Sequence, residues 1–163
     1  MDRTRTLRGA LAGAVAAGVW LVQQPLDKRV FGWQYDDAEL LGRLTGTDAG
    51  TGAVLHLCNG ALFGALYAGV APATPLPARL RGPAAGLLEH LATWPLTAAV
   101  VSPQMATSPR AFAQATWRHL LFGVVLGELE RRLNPPPLEP VSDEAAASNG
   151  HGSVEHLVAS DPR

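Results

Sequence analysis

The chain has 163 residues, enough for one domain of ordinary size, and its 13 Lys and Arg against 14 Asp and Glu leave a net charge of −1. That balance gives no electrostatic reason to expect a nucleic-acid partner. The single cysteine, Cys58, excludes an intrachain disulfide and a cysteine-based zinc site, and its apolar surroundings make it an inert small hydrophobe.

Charged residues crowd the two ends and the stretch from Asp27 to Asp48, leaving long apolar segments between them. The first segment runs from about 8 to 26. It is free of charge between Arg8 and Asp27, which is the lower limit of length for a membrane span. Gly9, Gly13 and Ala17 recur four apart, the small-residue spacing that lets helix backbones approach closely in lipid. Trp20 lies toward the far end, where interfacial aromatics collect, and Gln23-Gln24-Pro25 followed by Asp27-Lys28-Arg29 is expected to end the helix. A basic start before an apolar run also resembles a signal peptide, but three further apolar segments favour an uncleaved first membrane helix.

The polar connection that follows carries alternating Phe31, Trp33 and Tyr35, suited to a short extended piece or an interfacial aromatic cluster. Asp36, Asp37 and Glu39 place acids where a helix N-terminus favours them, and Leu40, Leu41 and Leu44 supply one apolar face. A short amphipathic helix ending at Gly46 is expected, lying on the membrane surface or capping the bundle. The second long segment, 52–71, offers small residues at Gly60 and Gly64 on one face and His56, Asn59, Phe63 and Tyr67 on another. Pro72, Pro75 and Pro77 then make a stiff turn.

The third and fourth segments, 83–101 and 111–128, each carry charge and histidine inside an apolar run: Glu89 and His90 in one, Arg118 and His119 in the other. Pro95 should kink the third helix by removing a backbone donor. Ser102 to Arg110 reads as a plain connector. Past Leu133, Pro135-Pro136-Pro137 opens a Ser-, Ala- and Glu-rich stretch with no core-forming pattern, so 134–163 is expected to be a disordered tail in which His151 and His156 are silent.

The fold expected is therefore all-α: a polytopic membrane protein, an antiparallel four-helix transmembrane bundle over 1–133 with a short interfacial helix. Seven arginines (Arg3, Arg5, Arg8, Arg79, Arg81, Arg131, Arg132) fall on the side of the termini, against Lys28, Arg29, Arg43 and Arg110 on the other, which places both termini in the cytoplasm.

An unpaired Arg or Glu inside lipid costs on the order of 3 kcal/mol, so pairing is expected. At about 1.5 Å per residue, Glu89 and Arg118 come to compatible depths, and an ion pair between them is the natural assignment. His56, Asn59, His90 and His119 complete an intramembrane polar cluster with these two. That cluster serves a structural or accessory membrane protein, or else a transporter-like or proton-conducting one. His56, His90, His119 and Glu89 lack close-spaced ligand motifs, so neither a metal nor another cofactor is assigned, and nothing marks a catalytic residue. The partner expected is the lipid bilayer, with a homo-oligomer if one of the Gly9/Gly13, Gly60/Gly64 or Gly123/Gly127 faces is left over.

The Ala/Gly-rich start Arg8-Gly9-Ala-Leu-Ala-Gly13 with Trp20 and Pro25, together with the four-helix layout, resembles small bacterial membrane proteins of the YagU-like inner-membrane group. The resemblance covers about 8–133 and implies an inner-membrane location; no functional residue is carried across it.

Overall fold

The computed structural model describes residues 2–101 and 103–135, so most of the expected tail lies outside the described residues. Among the described residues every regular element is helical. The order is α1 (Arg3–Phe31), α2 (Asp37–Leu44), α3 (Ala49–Val70), a single 3-10 turn (Ala71–Ala73), α4 (Ala78–Val101), α5 (Pro103–Thr107) and α6 (Pro109–Leu133). Side-chain caps start four of the helices. Asp2, Asp36, Asp48 and Ser108 accept from the backbone N–H groups of Thr4, Glu39, Thr51 and Ala111, satisfying donors that a helix start leaves free.

Three sequence expectations need correction. The first helix does not end near Leu26: it continues through Pro25 to Phe31 and stops at Gly32, whose φ of 66° needs a residue without a Cβ. Asp27 is therefore a helical residue facing the interior, not part of a polar connection. The connector before the last helix is not plain, because it contains α5. The fourth helix runs beyond 111–128, over Pro109–Leu133.

The four long helices form two antiparallel hairpins. α1 pairs with α3, α4 pairs with α6, α1 also packs along α6, and α2 lies against α3. α3 and α4 hardly touch. At one end Arg5 bonds Glu130 and the Ala68 carbonyl, and Arg8 bonds the Leu133 carbonyl, so both termini of the bundle and the turn after α3 share that end. α2 and α5 occupy the other.

Each hairpin closes on a seam of glycines. A Cβ at Gly60 would lie 2.6 Å from the Ala17 Cβ and 2.7 Å from the Gly13 carbonyl oxygen. A Cβ at Gly127 would lie 2.9 Å from the Gly82 Cα, and one at Gly123 would run into the Gly82 backbone. Backbones this close exclude any side chain, so the Gly9/Gly13, Gly60/Gly64 and Gly123/Gly127 faces are all used within the chain.

The hairpins also repeat a sequence pattern. Arg8-Gly9-x-x-x-Gly13 on α1 returns as Arg81-Gly82-x-x-x-Gly86 on α4, and His56-Leu57-x-x-Gly60-x-x-x-Gly64 on α3 returns as His119-Leu120-x-x-Gly123-x-x-x-Gly127 on α6. In each case the glycines make the seam. α1 and α4 run in the same direction, so the two halves are related by a pseudo-two-fold along the bundle axis, as in tandem membrane repeats. Under that relation the α1–α6 contact corresponds to α4–α3. The first is closed and the second is open.

Apolar side chains lie both inside the bundle, as Trp20, Tyr67, Phe122 and Leu126, and over its outer surface. The interior holds Ala12, Ala16, Ala17 and polar groups such as Gln24, Asp27, Gln114 and Arg118. Leu7, Leu11, Val15, Val22, Leu26 and Val30 line the outside of α1, and Val54, Leu62 and Leu66 the outside of α3. Two helical stretches, Arg3–Phe31 and Ala49–Ala73, are long and apolar enough to cross a membrane.

The seams set a contrast that melting in detergent can read. Gly60→Ala and Gly123→Ala should each destabilise by about 1–3 kcal/mol through overpacking. Leu62→Ala, at a side chain 61% exposed on the outside of α3, should leave the midpoint nearly unchanged. Equal losses at all three positions would show that the seams do not limit stability.

Candidate functional site

The polar residues inside the bundle divide into two groups that share one wall. The first is a closed lock between α1, α6 and the start of α2. Arg118 is wholly buried. Its Nε donates to Asp27 Oδ2 at 2.6 Å and its Nη2 to Asp27 Oδ1 at 2.7 Å, a two-pronged pair. Its Nη1 donates to Asp37 Oδ2 at 2.8 Å, and Nη2 also reaches the Tyr35 carbonyl at 3.0 Å. The remaining carboxylate oxygen capacity is filled by neutral donors. Gln23 and Gln114 each donate to Asp27 at 2.6 Å, Trp20 Nε1 donates to Asp37 at 2.8 Å, and the Tyr35 hydroxyl donates to Asp37 at 2.7 Å. One guanidinium thus serves two carboxylates, and the side-chain donors around them stabilise the excess negative charge.

Tyr35 lies in the connection before α2. Burial pushes its phenol well above its ordinary range, and the charge of Asp37 and the hydrogen bond to it push the same way, so the hydroxyl stays a donor. Next to it, burial works against the Asp36 carboxylate, but the hydrogen bonds from Lys28 and from the backbone N–H of Glu39 outweigh it and hold that carboxyl below its usual range.

The expected Glu89–Arg118 pair is not formed. Arg118 did require a buried carboxylate, but α1 and α2 supply it as Asp27 and Asp37. The misassignment follows from ending the first helix too early, which removed Asp27 from the list of interior groups. Glu89 instead meets His119, with Oε2 and Nε2 2.9 Å apart.

That second pair belongs to a crevice of about 700 Å³ between α3 and α4, roofed by α2. Its floor is Trp20, Phe122 and Ala115 on α1 and α6; its polar wall carries the buried His56 and His90, the part-buried Glu89 and His119 and the exposed Asn59, with Thr93 and Thr97 along α4. Toward α2 the walls become apolar, with Leu40, Leu44, Leu55 and Val100. The structure therefore brings five of the six expected polar residues to one crevice, and moves the sixth, Arg118, into the neighbouring lock. Trp20 joins the two groups: its indole bonds Asp37, while its ring lies edge-on to His56 at 5.2 Å and to His119 at 4.7 Å.

Hydrogen-bond geometry places one proton on His119. His119 Nδ1 is 2.7 Å from the Ala115 carbonyl, which only accepts, so Nδ1 carries a proton. The His119 Nε2 lies 2.9 Å from Glu89 Oε2, an ion pair when the imidazole carries both protons. The Thr116 hydroxyl lies 2.8 Å from the Phe112 carbonyl and 3.0 Å from His90 Nε2. Among the described residues His90 Nδ1 and His56 Nε2 are buried without a protein partner, as are Gln24 Oε1 and Gln114 Oε1 on the lock side. Among the described residues no three of His, Cys, Asp and Glu converge closely enough to hold a metal ion. Cys58 faces outward from α3 as a free thiol.

Asp27, Asp37, Gln114, Trp20 and Tyr35 were not singled out as site residues by sequence. The tandem repeat holds part of the missing signal. At matching distances after the seam glycines, Trp20, Gln24 and Asp27 on α1 correspond to Thr93, Thr97 and Val100 on α4, and Arg118 on α6 corresponds to Leu55 on α3. The lock side carries the large and charged set, whereas its counterparts all line the crevice.

Arg118→Met should cost about 3–5 kcal/mol in thermal or denaturant unfolding, because it leaves two carboxylates facing each other without their cation. Asp27→Asn should cost less, since Asp37 still pairs the guanidinium, and Glu89→Gln should stay near the parent value. A Glu89→Gln loss as large as that of Arg118→Met would overturn the division into lock and crevice. The chain matches no family model, and no curated protein or solved structure matches it either, so what the crevice does must be read from its own chemistry.

Proposed function

We propose that this chain is an integral membrane protein of the inner membrane, crossing the bilayer with α1, α3, α4 and α6. We propose further that it is an accessory protein whose α3–α4 crevice holds a small lipophilic molecule taken from the bilayer. Two helices meet the length and apolarity of a span outright. α4 and α6 have 24 and 25 residues, and at about 1.5 Å per residue either covers a hydrocarbon layer of about 30 Å. Their charged and titratable groups do not oppose this, because Arg118 is wholly buried and Glu89 pairs with His119. The outward Leu and Val side chains suit lipid and would be an extended sticky surface in water. The arginine-rich end, shared by both termini, is proposed as cytoplasmic.

The observation that carries the binding role is the crevice itself: mostly apolar walls, an aromatic floor, and buried imidazole nitrogens without partners. The lock side is closed, although the buried Oε1 atoms of Gln24 and Gln114 there also lack partners; what sets the α3–α4 side apart is its open volume. A second reading has its own support. Glu89 lies 2.9 Å from His119, whose ring lies 4.8 Å from that of His90, a file of titratable groups that would suit a short relay.

Fractionation should place the protein in the membrane pellet, released only by detergent. Native mass spectrometry of protein freed from micelles should show a bound small lipophile that disappears in Thr93→Trp, where an indole fills the crevice. A crevice that never carries or responds to any lipophile would end the binding reading. Proton flux in proteoliposomes above the lipid background, lost in Glu89→Gln, would put the relay in its place.

A further inference from the structure

The crevice between α3 and α4 has an accessible carboxylate, aromatic walls and no Lys or Arg among the residues that line it. Glu89 supplies the carboxylate, and its side chain is 27% exposed. Its Oε2 faces His119 at 2.9 Å, whereas its Oε1 is not buried and takes no hydrogen bond among the described residues. Trp20, Phe63, Trp94 and Phe122 line the same space. The two sides of the pseudo-two-fold differ here in charge. On the closed side Arg118 reaches from α6 to Asp27 on α1. On the open side the position matching Arg118 is Leu55, so no cation from α3 reaches toward α4.

The charge around the crevice is also out of balance. Asp27 and Asp37 share the one guanidinium of Arg118, and Glu89 stands nearby beside His119. Three carboxylates against one guanidinium sum to −2, and a second proton on His119 would still leave −1. The neutral donors of the lock spread this excess without cancelling it. Excess charge of one sign inside a bundle is costly, so the interior favours a further positive charge. A bare metal ion is a poor match, because it needs several converging ligands and no three of His, Cys, Asp and Glu converge among the described residues. An organic cation needs one carboxylate, and aromatic rings attract it as well.

Resting on the reading of the crevice as a binding site, we propose that its ligand is a lipophilic organic cation, a quaternary or protonated amine whose positive charge sits beside Glu89 and whose apolar body extends under α2 between Leu40, Leu44 and Val100. A phosphate or carboxylate head would meet no cation in the crevice and would add to the negative excess.

The test uses three probes that share a benzyl body and differ in charge: benzyltrimethylammonium, its neutral isostere neopentylbenzene, and benzylsulfonate. Each is added to the protein in nanodiscs of zwitterionic lipid, with uptake by empty nanodiscs subtracted. Thermal midpoints are followed over a concentration series, since a ligand for the folded state raises the midpoint with concentration. The ammonium should bind roughly tenfold tighter than the isostere, the order expected of a partly desolvated cation against aromatic rings, and the sulfonate should bind weakest. Glu89→Gln keeps the shape of the side chain and removes its charge; it should bring the ammonium down to the isostere's level without weakening the isostere. Glu128→Gln, at an exposed carboxylate paired with Arg131 and Arg132 at the other end of the bundle, should change neither. Thr93→Trp should abolish the response to every probe. Should Glu89→Gln fail to fold, the rank order of the three probes on the parent protein decides alone.

If the isostere or the sulfonate binds as well as the ammonium, and Thr93→Trp removes that binding, the assignment of a cation is wrong while the crevice remains a binding site. A preference for the ammonium that survives Glu89→Gln, or that is lost equally in Glu128→Gln, also overturns the proposal, by placing the charge's partner elsewhere. If no probe shifts the midpoint, this proposal fails, and only the absence of any bound lipophile in the native protein would take the crevice reading with it.

Discussion

Everything at the α2 end of this bundle depends on neutralising one guanidinium. Arg118 cannot shed its proton, so a position with no solvent access must be built around the cation. The protein does this with a two-pronged contact to Asp27, a second carboxylate from Asp37, and a backbone carbonyl from Tyr35. Those partners come from α1, from α2 and from the connection between them. Satisfying Arg118 therefore fixes how far α1 extends, where α2 sits and how the connection folds back over α6. The lock also orients Trp20 through Asp37, and so sets the floor of the crevice beside it.

The glycine seams do a complementary job. Close backbone contact supplies dispersion attraction along the whole seam, and it would be the main attraction between helices if the surroundings were lipid. Each hairpin devotes its small faces to that contact, leaving the larger apolar side chains to point outward. This arrangement leaves little room for specificity within a hairpin. Specificity lies in how the two hairpins meet, which is where the halves differ. One contact between them carries charge, an indole and glutamines and is closed. Its counterpart carries threonine, valine and leucine and stays open. Of two interfaces built on one repeated pattern, one is closed by side chains and the other leaves a crevice.

The histidines show why neither electrostatics nor burial alone identifies a site. His119 and His90 both lie in the polar wall and both make hydrogen bonds. What separates them is whether both ring nitrogens have partners. His119 has the Ala115 carbonyl at Nδ1 and Glu89 2.9 Å from Nε2. His90 has Thr116 beside Nε2 and no partner at its buried Nδ1.

Some of this was available from the order of residues alone. Charge-free runs with small residues four apart specify long helices that pack closely, because side-chain size and helical period are local properties. The acids at Asp36 and Asp37 specify a helix start, because a helix dipole acts within one turn. The need for Arg118 to be paired followed from the cost of burying a cation. Which carboxylate would pair it did not follow, because that depends on whether α1 continues past Pro25, and a proline's effect on a helix is decided by what packs around it. The repeat of Arg-Gly-x-x-x-Gly and His-Leu-x-x-Gly-x-x-x-Gly was written in the chain, yet its meaning required knowing which helices touch. Only the tertiary structure decided that α1 and α6 close while α3 and α4 stand apart, because two copies of one seam motif are locally alike and differ only in the residues that reach across to a partner helix.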